Sequence, residues 1–100
     1  MEFQIKKKKG LYYGTFPAFT RYGVSAAISF RKGGKSSGPY TSLNLGLHTE
    51  DNKKNVLKNR QMFFRLLDIA PRHVITLKQV HSNKVVTVRL KDRGKGAVAY

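Results

Sequence analysis

Apolar positions fall in short, differently spaced runs along this chain, and the spacing predicts a mixed α/β order. In "MEFQIKKKKG" Phe3 and Ile5 alternate with polar neighbours before four lysines and Gly10. That pattern suits an edge strand, where lysine discourages unwanted pairing. "LYYGTFPAF" reads as a second strand, interrupted at Gly14 and Pro17. In "GVSAAISF" Val24, Ala26, Ile28 and Phe30 alternate with smaller or polar residues, which predicts a half-buried strand with those four on its inner face. The next segment, "RKGGKSSGPYTSLNLGLHTEDN", is rich in Gly, Ser and Asn and predicts a long loop. Loops of that length in a small domain are uncommon and often functional.

Beyond the loop the period changes to that of a helix. Thr49, Asp51 or Asn52 can cap its start, and Glu50 and Asp51 lie where the helix dipole favours negative charge. Val56, Phe63, Phe64 and Leu67 share one stripe, widened by Leu57 and Leu66. Pro71 closes the helix, placing one main helix near 52–68. "HVITLKQV" and "NKVVTVRL" then predict two strands joined by a turn at "HSN". The tail "KDRGKGAVAY" opens as a glycine-containing turn and ends as a further strand would begin.

Composition narrows the functional classes. One hundred residues suit a single domain. The absence of cysteine excludes a disulfide framework or a thiolate zinc site made by this chain alone, and fits a cytoplasmic protein. No stretch approaches the roughly 18–20 apolar residues of a membrane span. The first residues carry basic charge but no apolar signal-peptide core. Twenty Lys and Arg against five Asp and Glu give a net charge of +15. Such a chain attracts polyanions at low salt, with nucleic acid the obvious partner and phosphorylated small molecules behind it. The lysines are spread along the chain rather than gathered on one face, so a plainly basic surface with nonspecific binding explains them as well.

Three segments carry candidate chemistry. In "RKGGKSSG" glycine turns can free backbone N–H groups to cradle phosphate, with Arg31, Lys32 or Lys35 neutralising it. The P-loop spacing is absent, and a flexible basic loop is the simpler reading of that stretch alone. "SLNLGLH" sets Asn44 and His48 among leucines that would hold the loop down. Asn44 could equally make local turn bonds. In "TLKQVHSNKVV" His81 sits at a strand end with Gln79 two residues earlier on the same face. Histidine is both a common metal ligand and the natural acid or base near neutral pH. With only His48 and His73 beside it, and no His-pair spacing, a lone surface histidine stays open as the alternative.

Taken together and in order, these pieces resemble the laccase-domain family, also called the YfiH-type multicopper polyphenol oxidase family. Arg31, Gly33, Gly34 and Ser36 match its R-x-GG-x-S element. Tyr40, Ser42–Gly46 and His48 match Y-x-SLNLG-x-H, Asp51, Asn59 and Arg60 match the helix that follows, and Gln79, Val80 and His81 match its QVH element. The resemblance covers about residues 22–90 and implies the N-terminal portion of a YfiH-like mixed-sheet α/β fold (mixed α+β). It implies a cytoplasmic zinc-dependent purine nucleoside phosphorylase acting on adenosine, inosine, guanosine and methylthioadenosine, with some adenosine deamination. Copper-dependent phenol oxidation is the older reading of the family.

By the same resemblance His81 is a zinc ligand whose partners, a cysteine and a second histidine, lie in later segments that this chain lacks. Residues 1–100 are therefore expected to form one incomplete domain of a longer protein, inactive by itself. Arg31, Asn44, His48 and Gln79 are the expected substrate-binding residues for a purine nucleoside and phosphate. Exposed strand edges would support self-association.

Overall fold

The computed structural model describes residues 3–76 and 83–97. Three antiparallel strands, β1 (Gln4–Lys8), β2 (Leu11–Thr15) and β3 (Ala27–Ser29), form a sheet in the order β1-β2-β3. The one α-helix among the described residues, α1 (Lys53–Leu66), follows the long loop. A two-residue turn joins β1 to β2, with Lys9 at φ 53° and Gly10 at φ 82°. Two successive positive φ values give the hairpin turn whose twist matches the flanking strands, and glycine takes its second position without steric cost. The second strand runs on through Gly14 to Thr15 and ends before Pro17, which opens a 3-10 turn at Pro17–Tyr22.

Alternation assigns the two faces of the sheet. Gln4, Lys6 and Lys8 pair with Thr15, Tyr13 and Leu11, and Ala27 and Ser29 pair with Thr15 and Tyr13, so these residues share one face. On that face Leu11, 1% exposed, joins Leu43, Phe63 and Leu66 in the core, flanked by Tyr13, Ala27, Leu45, Met62 and Leu67. The core thus takes side chains from the sheet, the loop and the helix. The other face carries Ile5, Gly14 and Ile28 in one row. Over Gly14 lies the Phe3 ring, so close that a Cβ there would stand 2.2 Å from it.

Helix α1 begins where Asn52 accepts hydrogen bonds from the Lys54 and Asn55 N–H groups at 2.9 and 3.2 Å. Its buried stripe is Val56, Asn59, Arg60, Phe63 and Leu66. Phe64, Leu57 and Leu67 are half-buried flanks rather than its centre. No helix among the described residues is long and apolar enough to cross a membrane.

Two expectations are corrected. The third strand presents Ala27, not Ile28, to the core, and Ile28 is 49% exposed. Pairing explains this: Ile28 is opposite Gly14, and Gly14 faces away from Leu11 and Tyr13. The segment 83–89 is not a strand, and Val85 is 90% exposed. Residues 74–76 are laced to the glycine turn of the tail instead. Gly94 N–H donates to the Val74 carbonyl at 2.7 Å, and Thr76 N–H to the Lys95 carbonyl at 2.9 Å.

Candidate functional site

The long loop is folded against its own first limb and against α1. Ser42 and Leu43 N–H groups both donate to the Arg31 carbonyl, at 3.1 and 2.7 Å, and Ser36 N–H donates to the Ser42 carbonyl at 3.0 Å. Gly34 makes this approach possible, because a Cβ there would lie 2.1 Å from the Ser42 carbonyl oxygen and 2.5 Å from the Leu43 Cα. The paired glycines are thus fixed by close packing rather than by flexibility.

A polar network ties the loop to the helix. Asn59, fully buried, accepts from Lys35 N–H at 2.7 Å through Oδ1. Its Nδ2 donates to the Ser36 hydroxyl and to the Asn44 carbonyl, both at 2.9 Å. The Ser36 hydroxyl donates in turn to Asp51 Oδ2 at 2.5 Å, and Asn44 Nδ2 donates to the same oxygen at 3.1 Å. These bonds, led by the one from Ser36, hold the Asp51 carboxyl below the ordinary carboxylate value. Arg60, also buried, donates to the carbonyls of Leu45, Gly96 and Ala97, tying the tail turn to the same helix.

The loop's outer surface forms a depression of about 250 Å³ lined by Arg31, Pro39, Tyr40, Thr41, Ser42, Leu43 and Asn44. Arg31 is exposed and is steadied by a hydrogen bond from its Nε to the Thr41 carbonyl. Two of the expected substrate residues, Arg31 and Asn44, therefore meet at one surface. Asn44 is largely committed to the loop: Nδ2 also donates to Thr49 Oγ1 at 3.0 Å, and Oδ1 accepts from Gly46 N–H at 3.0 Å. His48 is exposed and does not line the depression. Lys32 and Lys35 are exposed as well, giving the loop a basic rim. Gln79 and His81 lie outside the described residues. Among the described residues no three His, Cys, Asp or Glu side chains gather as a metal site would need. The donors among the described residues do not form a closed zinc centre.

The multi-copper polyphenol oxidoreductase laccase family matches residues 25–99. The chain belongs to this family. It is 38% identical over 77 residues to the purine nucleoside phosphorylase YlmD of Bacillus subtilis, covering 77% of this chain and 28% of that one. To the purine nucleoside phosphorylase YfiH of Escherichia coli it is 44% identical over 64 residues, covering 64% and 26%. The crystal structure of YlmD from Geobacillus stearothermophilus superposes with a TM-score of 0.81 at 34% identity, over 95% of this chain and 34% of that one. That of the Bacillus licheniformis hypothetical protein YfiH gives 0.83 at 26% identity, over 96% and 35%. This chain thus spans about a third or less of the length of these relatives, and its mixed α/β fold matches the corresponding part of the solved ones.

Sequence reasoning did not single out Ser36, Asp51 and Asn59 as the frame of the site. The signal was present for Asn59 and Arg60. They lie three and four residues after Val56 and before Phe63, inside the apolar stripe, where polar side chains persist only with partners.

Proposed function

We propose that this chain is the anion-facing portion of a longer, zinc-dependent purine nucleoside phosphorylase. Its substrates would be adenosine, inosine, guanosine and methylthioadenosine, with adenosine deamination as a side activity. The observation that carries the reading is the Arg31 depression. A guanidinium stands at the mouth of a rigid loop, within the stretch matched by relatives named purine nucleoside phosphorylases. In phosphorolysis a phosphate oxygen bonds to the sugar C1′ as the C1′–N bond to the purine breaks and the purine leaves with a proton. Arg31 would hold the phosphate by paired N–H donors. Asn44 and Ser42 would shape the adjoining wall. In this reading His81 contributes one zinc ligand, Gln79 and His48 contact the nucleoside, and the remaining ligands come from polypeptide outside these 100 residues.

Titrating isotope-labelled protein with inorganic phosphate tests the anion site. The expected result is saturable shifts at Arg31 and residues 41–44, absent in Arg31→Ala. Shifts scattered over all lysine-bearing segments would contradict it. Incubated with adenosine, phosphate and zinc, this chain alone is expected to release no adenine. Robust turnover that is lost in His81→Ala would show the remaining polypeptide to be dispensable.

A further inference from the structure

The opposing charges are not evenly mixed along the chain. Residues 3–49, which hold the sheet and the long loop, contain eight Lys and Arg and neither Asp nor Glu. The outer face of the sheet, turned away from the core, joins that charge to aromatic rings. Strand pairing puts Ile5, Lys7, Tyr12 and Ile28 on it. Phe3 lies there too, its ring over Gly14, where the missing side chain gives it room. Its ring packs against Phe16 with centroids 5.2 Å apart, and Phe16 meets Phe19 edge-on at 6.4 Å. Phe3 is 47% exposed, and Tyr12 and Phe19 are each 37% exposed, so the three rings are anchored yet open to solvent. Lys7 Nζ stands 5.2 Å over the Tyr12 ring, on a flexible side chain that can swing from the ring to a phosphate.

Rings held on a rigid sheet with cations beside them suit unstacked bases joined by phosphates. Two other occupants fit less well. A second copy would set cation against cation across the same face. A lipid surface would take the rings but not the strand beside them. β1 is the sheet edge, paired only with β2 among the described residues. Its outward N–H and C=O groups would lose water in hydrocarbon and gain no partner. A nucleic-acid strand brings donors and acceptors for those groups. A duplex offers phosphates but keeps its bases stacked on one another. We propose that the outer face of the sheet binds single-stranded nucleic acid without sequence preference, with bases stacking on Phe3, Tyr12 and Phe19 while Lys7 and its neighbouring lysines hold phosphates. The lysines set the affinity and make it salt-dependent, and the rings set the choice of single strand over duplex. None of these residues lines the Arg31 depression, and the binding does not depend on the catalytic reading.

Fluorescence anisotropy of the chain tests this with a short labelled strand of mixed sequence, made as RNA and as DNA, and with the duplex formed from it. Charge alone favours the duplex, whose phosphates are denser. At the same low salt the single strand is instead expected to bind at least about tenfold more tightly than the duplex. The RNA and DNA strands are expected to bind alike, because stacking does not read the 2′-hydroxyl. Phe3→Leu and Tyr12→Leu keep apolar cover on the sheet but remove the ring. Each is expected to cut the single-strand preference at least about threefold, with duplex affinity and circular dichroism unchanged. Lys7→Gln is expected to lower the slope of log affinity against log salt by about 1 for the single strand. Equal affinity for single strand and duplex overturns the proposal and leaves polyelectrolyte attraction alone. So do ring variants that keep the full preference. Binding to phosphatidylserine vesicles that the ring variants abolish, without any preference for the single strand, also overturns it and makes the occupant a membrane surface. No readout involves turnover, so failure of the phosphorylase reading and failure of this one are seen separately.

Discussion

Asn59 on the helix donates from its side-chain amide to the Ser36 hydroxyl in the loop, 23 residues earlier, at 2.9 Å. Around that bond the loop's backbone and the start of the helix become one unit. Asn59 also satisfies Lys35 N–H and the Asn44 carbonyl. Replacing Asn59 with Leu would strand both groups, at about 1–3 kcal/mol each. Urea denaturation is therefore expected to show a loss of about 2–6 kcal/mol. A loss below about 0.5 kcal/mol, within the range of ordinary surface substitutions, would remove Asn59 from this role.

Gly34 and Gly46 separate packing from composition in the loop. Gly34→Ala drives a methyl into the Ser42 carbonyl and Leu43 Cα, and overpacking against backbone costs about 1–3 kcal/mol. Gly46→Ala meets only side-chain atoms, the Thr49 methyl at 3.2 Å and Asn44 Oδ1 at 3.5 Å, and is expected to cost much less. Thermal melts of the pair check this, and equal losses would contradict the close approach.

Acid should loosen the loop through Asp51. Its carboxyl lies below the ordinary value of 3.8 because Ser36 first, and then Asn44 and the Asn52 backbone, donate to its charged form. A depressed folded-state value means the contribution is complete above 3.8 and is lost as pH falls through the lower folded value. Asp92, held low chiefly by Lys95, follows the same sign. Asp51→Asn is expected to lower Tm at neutral pH and to shrink the drop in Tm on acidification below pH about 4. An unchanged acid limb in the variant would place the acid sensitivity elsewhere.

The lysines of β1 and of the turn that follows it bear on polyanion binding. Lys6, Lys7, Lys8 and Lys9 are all exposed, and Lys7 lies 5.2 Å over the Tyr12 ring. Filter binding to single-stranded and duplex RNA is expected to be sequence-insensitive and to vanish by moderate salt, since the affinity rests on counterion release. Sequence-selective binding that persists in salt would argue for a dedicated nucleic-acid role.

Particular elements show how far the pattern of residues reached. The helix and its start followed directly from period and capping chemistry, with Asn52 taking the cap among three candidates, whereas it ends at Leu66, five residues before Pro71. The first strand followed from alternation and the second from its aromatic run, which continues through Gly14 to Thr15 rather than breaking at the glycine. The face of the third did not, because "AAISF" alternates plausibly in either phase and only its pairing with Gly14 and Thr15 decides. "NKVVTVRL" has strong strand propensity but no strand here, since a strand exists only through a neighbour's hydrogen bonds. Arg31 and Asn44 line one depression on the loop's surface. The frame beneath them was harder to read, because Ser36, Asp51 and Asn59 are brought together from up to 23 residues apart by tertiary contact.

The central claim, that this chain supplies the phosphate-facing wall of a purine nucleoside phosphorylase, is tested most directly by a chimera. The stretch of the Geobacillus stearothermophilus relative that superposes on this chain is replaced by the chain itself, and adenine release from adenosine and phosphate is followed by chromatography. The account predicts turnover in the chimera, and at least a tenfold loss of kcat/KM for phosphate in its Arg31→Ala variant. A folded chimera without turnover, or an Arg31→Ala variant as active as its parent, would contradict it.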